Sequence, residues 1–85
     1  MSAPAAAQVF RFELGDDVVA RLDAGPPYDL DDGAPVRPRE RPSWAVATIA
    51  AREWFNGLPH YLLSFRLDDD RCLCIEEESS IEGLA

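Results

Sequence analysis

Two cysteines and one histidine are the residues of this chain that could bind a metal through sulfur or nitrogen. Cys72 and Cys74 stand two positions apart, so on a strand both sulfur atoms would lie on the same face. A closed zinc site needs four ligands, and His60 is the only further soft candidate. A single chain therefore lacks a zinc set, and we interpret both cysteines as small buried core residues. A metal site shared between two chains is the alternative.

Carboxylates occur in clusters along the chain, which raises two further kinds of chemistry. The segment from Asp29 to Gly33 partly matches a calcium-binding loop, but its glycine comes one place early and no closing glutamate follows. Paired carboxylates can act as acid and base only in a cleft that raises one of their pKa values, and so short a chain has little interior to supply one. No nucleophile motif accompanies His60. We therefore predict no catalytic residues, no cofactor, no metal and no enzyme activity.

The net charge of the chain limits the classes of partner that it can bind. The 85 residues include 16 acidic and 8 basic side chains, which gives a net charge of −8. This charge opposes binding to nucleic acid phosphates and to anionic membranes. No apolar run reaches the roughly 18 residues that a membrane-spanning helix needs, and two closely spaced cysteines suit a reducing compartment. We therefore expect a cytoplasmic protein whose partner is a protein with a basic surface.

Short alternating patterns predict strands connected by tight turns. The pair Asn56-Gly57 is a strong hairpin signal because both residues tolerate positive φ. A single turn is predicted over Glu77–Ser80. The predicted strands are Asp17–Leu22, Trp44–Glu53, Tyr61–Leu67, Arg71–Glu76 and Ile81–Leu84.

The length of the chain allows one domain, which we place over 9–85 after a disordered tail over 1–8. Five prolines between Ala24 and Ser43 exclude a helix or a central strand there and predict a long proline-rich loop after the first strand. A loop of this length is a candidate binding element. Four to five short antiparallel strands predict an all-β fold, a small barrel, because closing the sheet removes its exposed edges.

Two short motifs resemble those of an SH3-like small β-barrel of the Tudor type. Gly15-Asp16-x-Val18 is similar to the opening Gly-Asp-x-Val strand, and Tyr61-x-Leu63-x-Phe65 is similar to a Tyr-x-Val-x-Phe strand that precedes an acidic turn. The resemblance covers roughly Phe10 to Leu84 and implies the fold. It also implies that aromatic side chains at the rim could form a cage for a methylated lysine or arginine. The proline-rich insertion over Gly25–Pro42 departs from the compact members and would cover or remodel the usual groove.

Aromatic and charged side chains are the candidate contact residues. Trp54 and Phe55 precede the predicted turn, and because neighbours on a strand point to opposite faces, we expect at least one to be exposed. The basic stretch Arg37–Arg41 either pins the loop to the domain's own carboxylates or presents arginines to an acidic surface. The complete set of predicted partner-binding residues is Trp54, Phe55, Trp44, Tyr28, Asp68, Asp69, Asp70, Arg37, Arg39 and Arg41.

Small size, strong acidity and the lack of a catalytic set favour one function. We expect a non-enzymatic protein-interaction module that docks on a basic protein surface, within a larger assembly. A homodimer is a separate option for its partner. The alternatives are an inhibitor that imitates nucleic acid and an accessory subunit of an enzyme. The binding of the interaction module to its partner should weaken as the salt concentration rises.

Overall fold

Six antiparallel strands form one sheet in the computed structural model of the chain, which describes residues 9–23, 27–29, 33–36, 42–67 and 69–85. The strands are β1 (Asp17–Arg21), β2 (Tyr28–Asp29), β3 (Trp44–Phe55), β4 (Leu58–Leu67), β5 (Asp70–Glu77) and β6 (Ile81–Leu84), and a 3-10 turn over Glu78–Ser80 precedes β6. The predicted all-β class is confirmed. The predicted tail over 1–8 and parts of the predicted loop lie outside the described residues. In the described part of the chain, no helix is long and apolar enough to cross a membrane.

The strand order is β2-β5-β4-β3-β1-β6, which leaves β2 and β6 at opposite edges of the sheet. Across the described residues the sheet is therefore open, and the prediction of a closed barrel is wrong. The reason lies in the segment that we predicted as a loop. Tyr28 and Asp29 pair with Leu73 and Cys72 and so occupy the free edge of β5. The last strand, β6, pairs with β1 instead.

The hairpin between β3 and β4 follows the predicted Asn56-Gly57 signal. Both residues adopt positive φ, 52° for Asn56 and 77° for Gly57, and the flanking Phe55 and Leu58 pair with each other. A two-residue turn with two positive φ angles matches the natural twist of the strands that it joins. This turn sets the register in which β3 and β4 lie side by side.

The core lies on one face of the sheet, which we call the inner face. Every second residue of β4, from Tyr61 to Phe65, is buried there, as period-two alternation requires. Phe12, from the segment before β1, and Val36 cover this face. The buried strand residues are Val18, Ala20, Ala47, Ile49, Tyr61, Leu63, Phe65, Cys72, Cys74, Glu76 and Ile81.

Strand β3 is shared by two parts of the sheet. It pairs with β1 over Trp44–Thr48 and with β4 over Thr48–Phe55, and its register shifts between Ile49 and Ala51. A bulge of this kind bends a strand and increases its twist. The side of the sheet opposite the core is called the outer face. Its residues on β3 to β5 are Trp44, Val46, Thr48, Ala51, Glu53, Phe55, His60, Leu62, Ser64, Arg66, Arg71, Leu73, Ile75 and Glu77.

Candidate functional site

The four aromatic side chains predicted to contact a partner differ in exposure. Trp44 is 60% exposed, Phe55 56% and Tyr28 51%. Trp54 is half-buried, and its ring packs edge-on against Phe10 with the ring centroids 5.7 Å apart. Trp54 and Phe55 thus point to opposite sides of β3, and Phe55 is the exposed member of the pair.

The three exposed aromatic residues do not form one cage. Trp44 and Phe55 occupy the two ends of the 12-residue strand β3, a separation of about 36 Å for a straight strand. Tyr28 lies on β2, beyond β4 and β5, where it pairs with Leu73. The rim cage implied by the Tudor-type resemblance is therefore not assembled from these three side chains.

The charged candidates are only partly described by the structure. Asp69 and Asp70 are both exposed at the turn between β4 and β5, and Asp70 pairs with Leu67. Asp68 lies outside the described residues, as do Arg37, Arg39 and Arg41. The described part of the predicted acidic turn therefore presents two carboxylates at one end of the sheet.

The two cysteines lie on the inner face, where both thiols are reduced and buried. Burial, with the charge of Glu76 and the neighbouring Cys72, raises the pKa of Cys74 to about 12. A thiol of such high pKa is a poor nucleophile and a poor metal ligand at neutral pH, since the thiolate is the reactive form. His60 faces the other side of the sheet, and its Nδ1 lies 3.0 Å from the Leu58 carbonyl oxygen. Within the ranges that the structure describes, no three His, Cys, Asp or Glu side chains group into a metal site.

A groove beside Trp44 brings together residues that the sequence analysis did not select as one site. It has a volume of about 550 Å³ and lies on the outer side of β1 and β3. Arg21 pairs directly with Trp44 in the ladder between these strands. We call it the Trp44 groove, and its lining residues are Val19, Arg21, Asp23, Ser43, Trp44 and Glu82.

The guanidinium of Arg21 is held by groups from three parts of the chain. Its Nε lies 3.9 Å from Asp23 Oδ2 and 4.0 Å from Glu82 Oε1, and its Nη2 donates a hydrogen bond to the Ser79 carbonyl at 3.1 Å. Asp23 also accepts a hydrogen bond from the Ser80 hydroxyl at 3.1 Å. Two carboxylates against one cation give the Trp44 groove a net negative charge.

Two further arginines contact aromatic rings of the protein itself. The guanidinium of Arg11 lies 4.9 Å from the centre of the Phe12 ring, and that of Arg52 lies 5.0 Å from the centre of the Phe10 ring. Arg52 also donates a hydrogen bond to the Phe12 carbonyl at 3.2 Å. Arg52, on β3, thus holds the segment before β1 to the sheet, whereas the contact of Arg11 lies within that segment.

Tyr61 fixes the same segment from inside. Its hydroxyl donates a hydrogen bond to Glu78 Oε2 at 2.5 Å and accepts one from the Phe12 N–H at 3.2 Å. Burial and the hydrogen bond to Glu78 raise the pKa of Tyr61. The backbone N–H of Arg11 donates to the same carboxylate oxygen of Glu78 at 3.0 Å.

Period-two alternation placed Val18 and Ala20 on the inner face, so it also placed Val19 and Arg21 outside. That signal could have drawn attention to Arg21. The same alternation puts Asp23, two residues further on, on the side of Arg21. Glu82 could not be connected to it, because only the pairing of β6 with β1 brings Glu82 to this groove. The chain matches no protein-family model, no curated protein and no solved structure. Function is therefore inferred from the residues and geometry described above.

Proposed function

We propose that this protein is a non-enzymatic interaction module that docks on a basic surface of another protein through the Trp44 groove. The observation that carries the proposal is an exposed tryptophan in a groove of net negative charge. Tryptophan is enriched among the residues that contribute most of the energy in protein interfaces. When a partner covers the apolar surface of so large an exposed side chain, the free energy of binding becomes more favourable.

The charges around Trp44 favour a cationic partner. A lysine or arginine of the partner can lie over the indole ring and at the same time approach Asp23 and Glu82. Arg21 does not saturate these carboxylates, because it lies 3.9 Å and 4.0 Å from them and also binds Ser79. The net charge of −8 would attract a basic surface over a longer range and speed its association.

A rolled but open sheet of the SH3-like type is the fold that we propose for this module. Two features support it. Strand β3 bends at its bulge and pairs with β1 along one part and with β4 along the other. The pairing of β6 with β1 brings the last strand beside the first. Both features are expected of a sheet that curves around its core without closing.

Binding to a basic peptide tests this function. We would titrate the protein with an octapeptide of alternating lysine and glycine at 50 and 300 mM salt and measure the affinity by calorimetry. The Trp44→Ala variant should bind about tenfold more weakly, the scale of a moderate interface contact. Phe55→Ala is the matched control, since Phe55 is equally exposed at the other end of β3, and it should bind as the unmodified protein does.

The same titration separates the proposed module from a protein that imitates nucleic acid. A mimic would attract the peptide through its carboxylates alone, so Trp44→Ala would leave its affinity unchanged. An affinity that does not fall between 50 and 300 mM salt would contradict both functions, because each depends on charge attraction that salt screens.

A further inference from the structure

We propose that the outer face of β3, β4 and β5 binds a second copy of this chain. The proposal rests on the pattern of charge and apolar side chains across this face, and it does not depend on the Trp44 groove. The part concerned lies between the β3–β4 hairpin and the turn that joins β4 to β5. Trp44 itself lies outside it, at the end of β3 that pairs with β1.

The strand register arranges the outer face in four rows that cross the strands. The first is acidic, the two middle rows are largely apolar, and the fourth is basic. We call them the acidic row, the middle rows and the basic row. In order along β4 they are Glu53–His60–Glu77, Ala51–Leu62–Ile75, Thr48–Ser64–Leu73–Tyr28 and Arg66–Arg71.

Two shallow hollows of similar size follow from this arrangement. One has a volume of about 380 Å³ and is lined by residues that include Arg52, Glu53 and Ile75. The other has a volume of about 360 Å³ and is lined by residues that include Arg66 and Arg71. The two hollows lie at opposite ends of the outer face, and the second, which is lined by two arginines, is the more positive.

Two-fold symmetry limits how two such faces can meet. When identical faces pack against each other, the two-fold axis must lie in the plane of the interface. An axis that runs along the strands would bring the acidic row against the acidic row of the second copy. An axis that runs across the strands brings the acidic row against the basic row, and it places Glu77 opposite the second copy's Arg71. Charge therefore selects the second arrangement, with the strands of the two sheets running in opposite directions at the crossing angle of about 30° usual for packed sheets.

The middle rows supply the apolar contact in this arrangement. Ile75 is 58% exposed although it lies in the centre of the face, and Tyr28, on the edge strand β2, is 51% exposed. The symmetry places Ile75 against the second copy's row that contains Leu73 and Tyr28. The four rows cover roughly 14 Å across the strands and 20 Å along them, or about 280 Å² on each copy, which is below the roughly 800 Å² per partner of a standard interface. We therefore expect a weak dimer, with a dissociation constant on the order of 100 µM.

Carboxylates near the basic row offset part of its positive charge. Asp69 is exposed in the turn that follows β4, next to Asp70 and Arg71. His60 lies in the acidic row, with its Nδ1 at the Leu58 carbonyl. The contact between Glu77 and the second copy's Arg71 is therefore the one that a test should change.

A charge exchange tests the proposal with the intact chain. Sedimentation velocity between about 1 and 500 µM should show a monomer that becomes a dimer. Glu77→Arg and Arg71→Glu should each weaken dimerisation about tenfold, because each creates like-charge contacts across the axis. The double variant restores the pairing with its sign reversed, so it should dimerise within about threefold of the unmodified protein.

Two further variants guard against effects on folding. Glu77 accepts a hydrogen bond from the Ser79 hydroxyl at 3.0 Å, so Ser79→Ala removes that bond without changing charge and should dimerise normally. Ile75→Asp should abolish the dimer, whereas Leu84→Asp, a matched change at an exposed residue of β6, should not. A monomer at every concentration, or a double variant no better than the single ones, would overturn the proposal. Because Trp44→Ala leaves the face intact, it should still dimerise, which separates this inference from the proposed function.

Discussion

Tyr61 and Glu78 are joined by a hydrogen bond of 2.5 Å between the phenol hydroxyl and Oε2, and Tyr61 itself is fully buried. The same hydroxyl accepts the backbone N–H of Phe12. One side chain of β4 thus connects the 3-10 turn at the end of β5 to the segment that precedes β1. This contact leads to a prediction about stability.

Replacing Tyr61 by phenylalanine removes the hydroxyl and leaves the Phe12 N–H without its partner. We expect the free energy of unfolding to fall by about 1–3 kcal/mol, the usual cost of leaving a buried donor unsatisfied. Urea denaturation followed by circular dichroism measures this change. Tyr28→Phe is the matched control, and because Tyr28 is half-exposed its loss should stay within about 0.5 kcal/mol. Equal losses for the two variants would contradict the role given to Tyr61.

The buried thiol of Cys74 should make the protein less stable in alkali. Its pKa rises from an ordinary 9.0 to about 12 on folding, so between these values the unfolded chain binds fewer protons than the folded one. The contribution of the protonated thiol to the free energy of unfolding is therefore fully present below pH 9 and is lost as the pH rises towards 12. Tyr61, whose pKa is also raised by burial and by Glu78, adds to the decline above pH 10.

Urea denaturation midpoints at pH 8, 9.5 and 11 measure this dependence. The Cys74→Ala variant starts from a lower stability because it loses buried volume. Its stability should nevertheless fall less steeply between pH 9.5 and 11 than that of the unmodified protein. Parallel curves for the two proteins would mean that Cys74 does not contribute to the alkaline loss.

The hairpin turn depends on the left-handed backbone of Gly57. A Cβ added there would meet no atom within 4 Å, so the cost of Gly57→Ala comes from its φ of +77° alone. We expect a loss of about 1 kcal/mol in the free energy of unfolding. Asn56→Gly keeps a residue that tolerates positive φ and should change stability by less than about 0.5 kcal/mol. Thermal unfolding followed by calorimetry distinguishes the two, and a larger loss for Asn56→Gly would exclude this explanation.

Arg21 limits the negative charge of the Trp44 groove, so its removal should strengthen the binding of a basic peptide. Arg21→Met keeps most of the aliphatic chain and leaves Asp23 and Glu82 without their cation. We expect the lysine peptide to bind about threefold more tightly, in line with a partly exposed ion pair. Arg66→Met changes the net charge equally but lies in the basic row of the outer face, and it should have a smaller effect. If both variants gain equally, net charge rather than the groove governs the affinity.

Local patterns predicted much of the fold and little of the candidate site. Alternation identified the buried side of β4, and two residues that tolerate positive φ identified the turn at Asn56-Gly57. Alternation also separated Trp54 from Phe55 correctly, because it depends only on neighbouring residues. What a local pattern cannot supply is the choice of partner strand.

Strand pairing decided both the open sheet and the groove. Tyr28 sits in a proline-rich segment without a strand pattern, yet it pairs with β5 and takes the edge that barrel closure would have needed. Arg21 and Asp23 lie two residues apart, but Glu82 comes from the other end of the chain and meets them only because β6 pairs with β1. The periodicity of the sequence cannot predict tertiary contacts of this kind.

Strand β3 also determines how the protein unfolds. One part of it is hydrogen-bonded to β1 and the other to β4, so neither part of the sheet keeps its central ladder once β3 is lost. No separate half can therefore survive as a folded fragment. Unfolding should proceed as a single cooperative transition that is superimposable whether it is followed at Trp44 or at Trp54, one at each end of that strand.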